Sequence, residues 1–320
     1  MTQFSVILPT HNRPDSFRAA LGSVLAQQAA DVEIIVVQDG SDADCLDRYH
    51  AIEAEMAGRA RWIDVPRQRG RGHGHGFALN VGAAAAQGRY LCFLDDDDLW
   101  IDPDHLHRAG LAITQAGAVD LYLANQEAWQ AGARLAGPIW IEDLPGQDGA
   151  DCQSVTAASL LRASGFCHLN TLIVRRALYE ALGGVDEGLC YECDRDFYLR
   201  AIDRAGLMLY APAIVSRHNV PMAGARAHES TRVTATEKCL SQLLILDRLL
   251  LGARNPAIRR YAMAHKAYTL QRLATACANQ GSYRTAMLYA CQALAIRPSP
   301  RWLATTAQLA ARAITAGDRA

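Results

Sequence analysis

The sequence predicts an α/β fold on a mainly parallel sheet, followed by a C-terminal helical region. Over roughly the first 125 residues, strand-like apolar runs alternate with helix-like segments, the sequence form of a parallel sheet. Three of those runs end in polar clusters: Thr10-His11-Asn12-Arg13, Asp39-Gly40-Ser41 and Asp95–Asp98. Ligands of such sheets gather outside the carboxyl ends of the strands. From about Thr234 strand signals stop, and Ala, Leu, Arg and Gln recur at helical spacing. A chain of 320 residues holds one large domain and an appendage. We set the division at 1–230 and 231–320.

Phe4–Pro9 reads as the first buried strand. Pro14 suits the first turn of the next helix, where a missing N–H is harmless, and Phe17, Leu21, Val24 and Leu25 fall on one helical face. Val32–Val37 is a second strand ending at the turn signal Gln38-Asp39-Gly40-Ser41. A polar helix from Asp42 to Met56 and a strand around Arg61–Val65 follow. Arg69–Gly76 is glycine-rich and must be mobile or tightly turned. Phe77–Ala86 reads as an Ala-rich helix, Tyr90–Leu94 as the fourth strand and Val119–Ala124 as the fifth. The Gly/Pro punctuation of 126–165 suggests a substrate-facing insertion. Within the tail, Tyr268–Pro298 has the spacing of one tetratricopeptide-type hairpin; a solenoid needs about three repeats.

The net charge of −1 argues against a mainly electrostatic nucleic-acid binder. No apolar run approaches the ~20 residues that span a bilayer. The N-terminus lacks the basic region of a signal peptide, and nine scattered cysteines read as reduced thiols, both of which suit a cytoplasmic protein. Peripheral attachment at the inner face of a membrane is compatible with this. A protein partner, or a second copy, engaging the helical tail is compatible too.

The four acids Asp95–Asp98 close an apolar strand, where carboxylates are costly unless something positive pairs with them. They fit either a divalent cation that also holds phosphate oxygens or an acidic cap on the next segment. Three polar clusters on one sheet edge favour a nucleotide pocket, with Thr10, Asn12 and Asp39 able to hydrogen-bond a base. The glycine loop is no dinucleotide fingerprint, because it lacks a third glycine at the needed offset and does not follow the first strand. Cys190-Tyr-Glu-Cys193 lacks the two further ligands a structural zinc requires.

Taken as a set, Val6–Arg13, Glu33–Ser41, Ala78–Tyr90, Phe93–Trp100, Gly183–Glu187 and Asp194–Arg200 resemble the GT-A glycosyltransferases of family 2, over roughly residues 3–220. The resemblance implies a Rossmann-like GT-A domain that transfers a sugar, with inversion, from a nucleotide-sugar donor to a glycan or glycolipid acceptor, with UDP as the default nucleotide. By position it implies that Asp39 reads the base, with Pro9 and Thr10 lining that pocket. Asp95 and Asp97 then stand for the two acids of the family's Asp-X-Asp motif, Asp97 holding Mn²⁺ or Mg²⁺. Asp96 joins the nucleotide side, and Asp98 supports the loop. Asp194 takes the place of the general base, although Cys193 replaces the acid that usually precedes it. Glu192 is a substitute for that acid. His218 is a candidate second ligand to the metal or pyrophosphate, with His228 competing. Arg71 is a candidate phosphate contact, and Asn80 matches a recurrent family asparagine. Trp129, Trp140 and His168-Leu-Asn170 either border the acceptor site or belong to the core. Two other readings stay open: a sugar-phosphate nucleotidyltransferase, and a non-catalytic nucleotide-binding scaffold recruiting a partner through its tail.

Overall fold

The computed structural model describes residues 3–29, 31–68, 72–135, 140–141, 144, 152–163, 165–189, 191–222 and 233–317. The chain divides into two compact units: Met1–Leu189 with Cys193–Met222, and Cys190–Glu192 with Ala223–Ala320.

The first unit opens as β1 (Phe4–Thr10), α1 (Pro14–Leu25), β2 (Val32–Asp39), α2 (Ala43–Met56), β3 (Arg61–Val65), α3 (His75–Ala85) and β4 (Tyr90–Phe93). These strands lie in the order β3-β2-β1-β4, all parallel. Period-2 alternation sends Phe4, Val6 and Leu8 of β1 into a core shared with Phe17, Leu21 and Val24 of α1. Ile7 points the other way, beneath α3, where a Cβ on Gly82 would stand 2.4 Å from Ile7 Cγ2. Only glycine lets α3 lie so close to the sheet.

Past β4 the sheet turns mixed. β5 (Leu99–Trp100) and α4 (His105–Ala116) lead to β6 (Val119–Gln130), followed by β7 (Ala133–Arg134), β8 (Gln153–Val155) and α5 (Ala157–Leu160). β9 (Leu172–Arg175) lies antiparallel between β4 and β6. It follows a one-turn 3-10 helix, Leu169–Thr171, and enters the sheet without a crossover helix, so it runs opposite to its neighbours. After α6 (Arg176–Ala181) and α7 (Cys193–Arg204), β10 (Leu207–Asn219) runs parallel to β6 with register shifts around Tyr210–Ser216. The expected parallel order therefore describes the N-terminal strands, whereas β9, β5 and β8 pair antiparallel.

In the second unit, α8 (Ala235–Gly252) starts with a reciprocal cap between Thr234 and Glu237. Then come α9 (Pro256–Asn279), α10 (Tyr283–Ile296) and α11 (Pro300–Gly317), joined by short turns. Their core uses small residues, Ala274, Cys277, Ala286 and Ala290, around Leu273 and Leu309. The helical hairpin read from Tyr268–Pro298 corresponds to α9 and α10, with α9 starting earlier, at Pro256.

Candidate active site

The carboxyl ends of β1, β2 and β4 and the late strand β10 converge on the acid turn. β4 stops because its next residues fold back, with Asp98 N–H donating to the Asp95 carbonyl at 3.2 Å. The four carboxylates then separate into different roles. Asp98 is fully buried and saturated: Oδ1 accepts from Asn219 N (2.7 Å), and Oδ2 accepts from Asn170 Nδ2 (2.5 Å) and pairs with His218 Nδ1 (2.8 Å). It ties the turn to β10. Asp96 faces β1, accepting from Thr10 Oγ1 (2.9 Å), His11 N (3.3 Å) and Arg13 (3.0 Å). Arg13 also reaches Asp97 Oδ2 at 2.9 Å, so one guanidinium spans two acids. Asp95 lies 3.4 Å from His75 Nε2 and receives Asn170 Oδ1 on its backbone N–H at 3.0 Å.

Four acids in one turn strain each other. Burial, then Asp98 and Asp96, push the Asp97 carboxyl up to about 7. Burial also raises Asp96. Burial opposes ionisation of Asp95, but His75, His168 and His218 outweigh it and hold its pKa below the usual range. Burial alone would lower His218; its hydrogen bond and charge pairing with Asp98 prevail and lift it to about 9. One oxygen from each of Asp95, Asp97 and Asp98 lies within 4.8 Å of the others. This hard, all-oxygen donor set fits Mg²⁺ or Mn²⁺, and the raised Asp97 pKa is the charge strain that a divalent cation relieves. Both Asp98 oxygens already accept hydrogen bonds.

Pro9 lies buried near the end of β1, opposite Val37. Asn12 adopts φ 57° and braces the next turn, its Oδ1 accepting from Asp42 N at 2.7 Å and its Nδ2 donating to Asp42 at 3.0 Å. Asp39 is buried, and its carboxylate accepts the backbone N–H groups of His73 (2.9 Å) and Gly74 (2.8 Å). A Cβ on Gly72 would fall 2.5 Å from the Asp39 carbonyl, which explains the glycine there. The end of the glycine loop is thus clamped on Asp39. Asn80 holds the Gly183–Glu187 turn through Val185 and Glu187. Arg71 and His228 lie outside the described residues.

Asp194 stands in the first turn of α7, with its carboxylate 3.3 Å from His168 Nε2. The His168 Nδ1 accepts the Asn170 N–H at 3.4 Å, so a neutral ring carries its proton on Nε2, facing Asp194. The His168 ring lies 5.4 Å from that of His218, and Trp140 packs 6.0 Å and 5.6 Å from the two. These rings link Asp194 to the acid turn. Asp196 is buried and ion-paired with Arg200, which also bonds the Leu182 and Gly184 carbonyls. Glu192 belongs to the second unit, where it accepts from Gln242 at 2.9 Å.

The roles of Arg13 and His75 and the partner of Asp194 escaped sequence reasoning. Arg13 could have been found by sign, as a cation on the sheet edge that carries the acids. His75 lay in the glycine loop, read as mobile or tightly turned. The pairing of His168 with Asp194 joins residues from separate elements and left no local signal.

Residues 5–135 match the family model described as glycosyl transferase family 2. The chain is 28% identical over 196 residues to the succinoglycan biosynthesis protein ExoW of Rhizobium meliloti, covering 56% of this chain and 57% of that protein. It therefore spans little more than half of that relative. Two solved structures share the fold. S. aureus TarS in complex with UDP-GlcNAc superposes with a TM-score of 0.67 at 18% identity, over 92% of this chain and 82% of TarS. The mannosyltransferase PcManGT from Pyrobaculum calidifontis, in complex with GDP-Man and Mn²⁺, gives a TM-score of 0.58 at 18% identity, over 98% and 86% of the two chains.

Proposed function

We propose that this chain, whose residues 5–135 match the glycosyl transferase family 2 model and which has a GT-A fold, transfers a sugar, with inversion, from a nucleoside-diphosphate sugar to a hydroxyl of a glycan or glycolipid. The observation that carries this reading is the joining of two acidic groups of opposite character. The crowded acid turn is linked to Asp194 through the rings of His218 and His168.

In this reading the nucleotide lies over the ends of β1, β2 and β4. Thr10 and Pro9 line the base pocket, and Asp39 reads the base once the loop at His73–Gly74 yields one of its oxygens. UDP is the favoured nucleotide, as in the TarS complex. Asp95 serves the ribose side. Asp97, with Asp95, would hold a divalent cation, as the Mn²⁺ in the PcManGT complex suggests; bound there, it stabilises the charge on the departing diphosphate. His218 is held cationic by Asp98, so it acts as a donor to pyrophosphate oxygens rather than as a neutral metal ligand.

On the acceptor side, Asp194 takes the hydroxyl proton as the oxygen attacks the anomeric carbon from the face opposite the leaving group. The sugar passes through an oxocarbenium-like state, so a positioned base is needed during bond formation. His168 fixes the orientation of that carboxylate, and Trp140 offers an aromatic face for a sugar ring. The reading is tested by incubating the protein with UDP- and GDP-sugars and Mn²⁺. Turnover that disappears in Asp97→Ala supports it; no binding and no turnover of any donor sinks it.

A further inference from the structure

The second unit has a charge unlike the rest of the chain. Residues 233–317 carry eleven Lys and Arg against two acids, nine of the eleven within helices α8–α11, whereas residues 1–232 carry twenty against thirty. Between Asp247 and Asp318 there are nine arginines, one lysine and no acidic residue. Asp247 pairs with Lys266, and residues 233–317 keep a formal excess of nine positive charges, eleven less two.

Large apolar side chains stand exposed among these cations. Leu251 is 89% exposed and follows Arg248 by three positions. Met263, 46% exposed, follows Arg260 by three, and Leu288, 57% exposed, follows Arg284 by four. Spacings of three and four put each pair on one face of its helix. Nucleic acid or an acidic protein would use the arginines but has little use for exposed leucine. A second copy of this unit would set like charges against each other. A surface that offers anionic headgroups and a hydrocarbon boundary uses both features.

We infer that the second unit docks on the surface of an anionic lipid bilayer through these basic and apolar helix faces. No described helix is long and apolar enough to cross a membrane, so the attachment is peripheral. The cations draw the unit to the headgroups, and the exposed Leu and Met side chains enter the boundary beneath. The inference does not depend on the catalytic reading, because vesicle binding is measured without a donor.

The test is cosedimentation of the full chain with phosphatidylcholine vesicles, with and without phosphatidylglycerol. Binding should require phosphatidylglycerol and weaken as salt rises. Arg260→Glu with Arg284→Glu should cut partitioning at least about tenfold, since each cation near such a surface contributes roughly fivefold. Leu251→Glu with Leu288→Glu should also reduce it at low salt. Thermal melting monitors folding, and Arg260→Gln with Arg284→Gln gives a milder second pair. Equal binding to neutral vesicles, no binding to either, or unchanged binding in both arginine pairs overturns the inference. So does tighter binding to a single-stranded oligonucleotide, or a dimer in sedimentation velocity that the leucine pair abolishes without vesicle binding.

Discussion

Replacing His168 with leucine takes from Asp194 the polar partner 3.3 Å from its carboxylate, and from Asp95 one of the three histidines that favour its ionised form. The Asn170 N–H that His168 Nδ1 accepts also loses its partner, at the start of the 3-10 turn before β9. The two stand in ion-pair contact, and a hydrogen bond formed from it to the carboxylate in the substrate complex would contribute about 1.5–3 kcal/mol net. If that energy orients the carboxylate in the transition state, its loss lowers kcat by roughly 10- to 100-fold. Donor affinity should fall less than kcat, because His75 and His218 still face Asp95. His168→Gln restores a donor of similar reach and should recover a large part of kcat, although it keeps neither ring packing nor the bond to Asn170. The assay is initial-rate transfer, with kcat and donor KM determined separately and donor binding measured by calorimetry. If leucine and glutamine lower kcat equally, or if leucine weakens donor binding as much as turnover, His168 does not position the base.

Four further outcomes follow from the acid turn, a buried histidine and the glycine loop. Asp98→Ala strands the donors of Asn219, Asn170 and His218 and should destabilise the protein by about 3 kcal/mol or more in chemical denaturation. Asp97→Asn, which relieves crowding, should leave apo stability unchanged or raised. His105 is fully buried, with no partner on either ring nitrogen among the described residues, and burial lowers its pKa to about 4. Its neutral form is therefore the folded one: the stability linked to it is complete above pH 6.5 and is lost as pH falls from there through about 4. His105→Phe should remove up to about 3 kcal/mol of that acid sensitivity, measured as the wild-type-to-variant difference at the two pH values. Gly72→Ala drives a methyl into Asp39 and should cost about 1–3 kcal/mol and raise the donor Kd; an unchanged Kd would separate the loop from the nucleotide pocket.

The N-terminal half of the fold was legible because each of its strands is an uninterrupted apolar run closed by turn chemistry. β10 was harder: Pro212 breaks the run, and the structure shows register shifts there. β9 is only four residues long and follows no crossover helix, so nothing in its pattern announced an antiparallel insertion. The acid turn was visible as a site, yet the division of labour among its members was not. Asp98 and Asp96 turn inward because Asn170, Asn219, Thr10 and Arg13 meet them in space, from elements distant in sequence. Asn80 matched a motif and proved to brace the Gly183–Glu187 turn, a role that local spacing does not reveal.

The central claim is that donor binding at the acid turn and proton removal at Asp194 are separate tasks of one site. It is tested most directly by measuring donor affinity and single-turnover transfer for Asp194→Asn beside Asp97→Ala. The account predicts a near-normal donor Kd and a roughly 10²–10⁴-fold slower transfer for Asp194→Asn. Asp97→Ala should instead lose metal-dependent donor binding. Equal weakening of donor binding in both variants, or full transfer activity in Asp194→Asn, would contradict it.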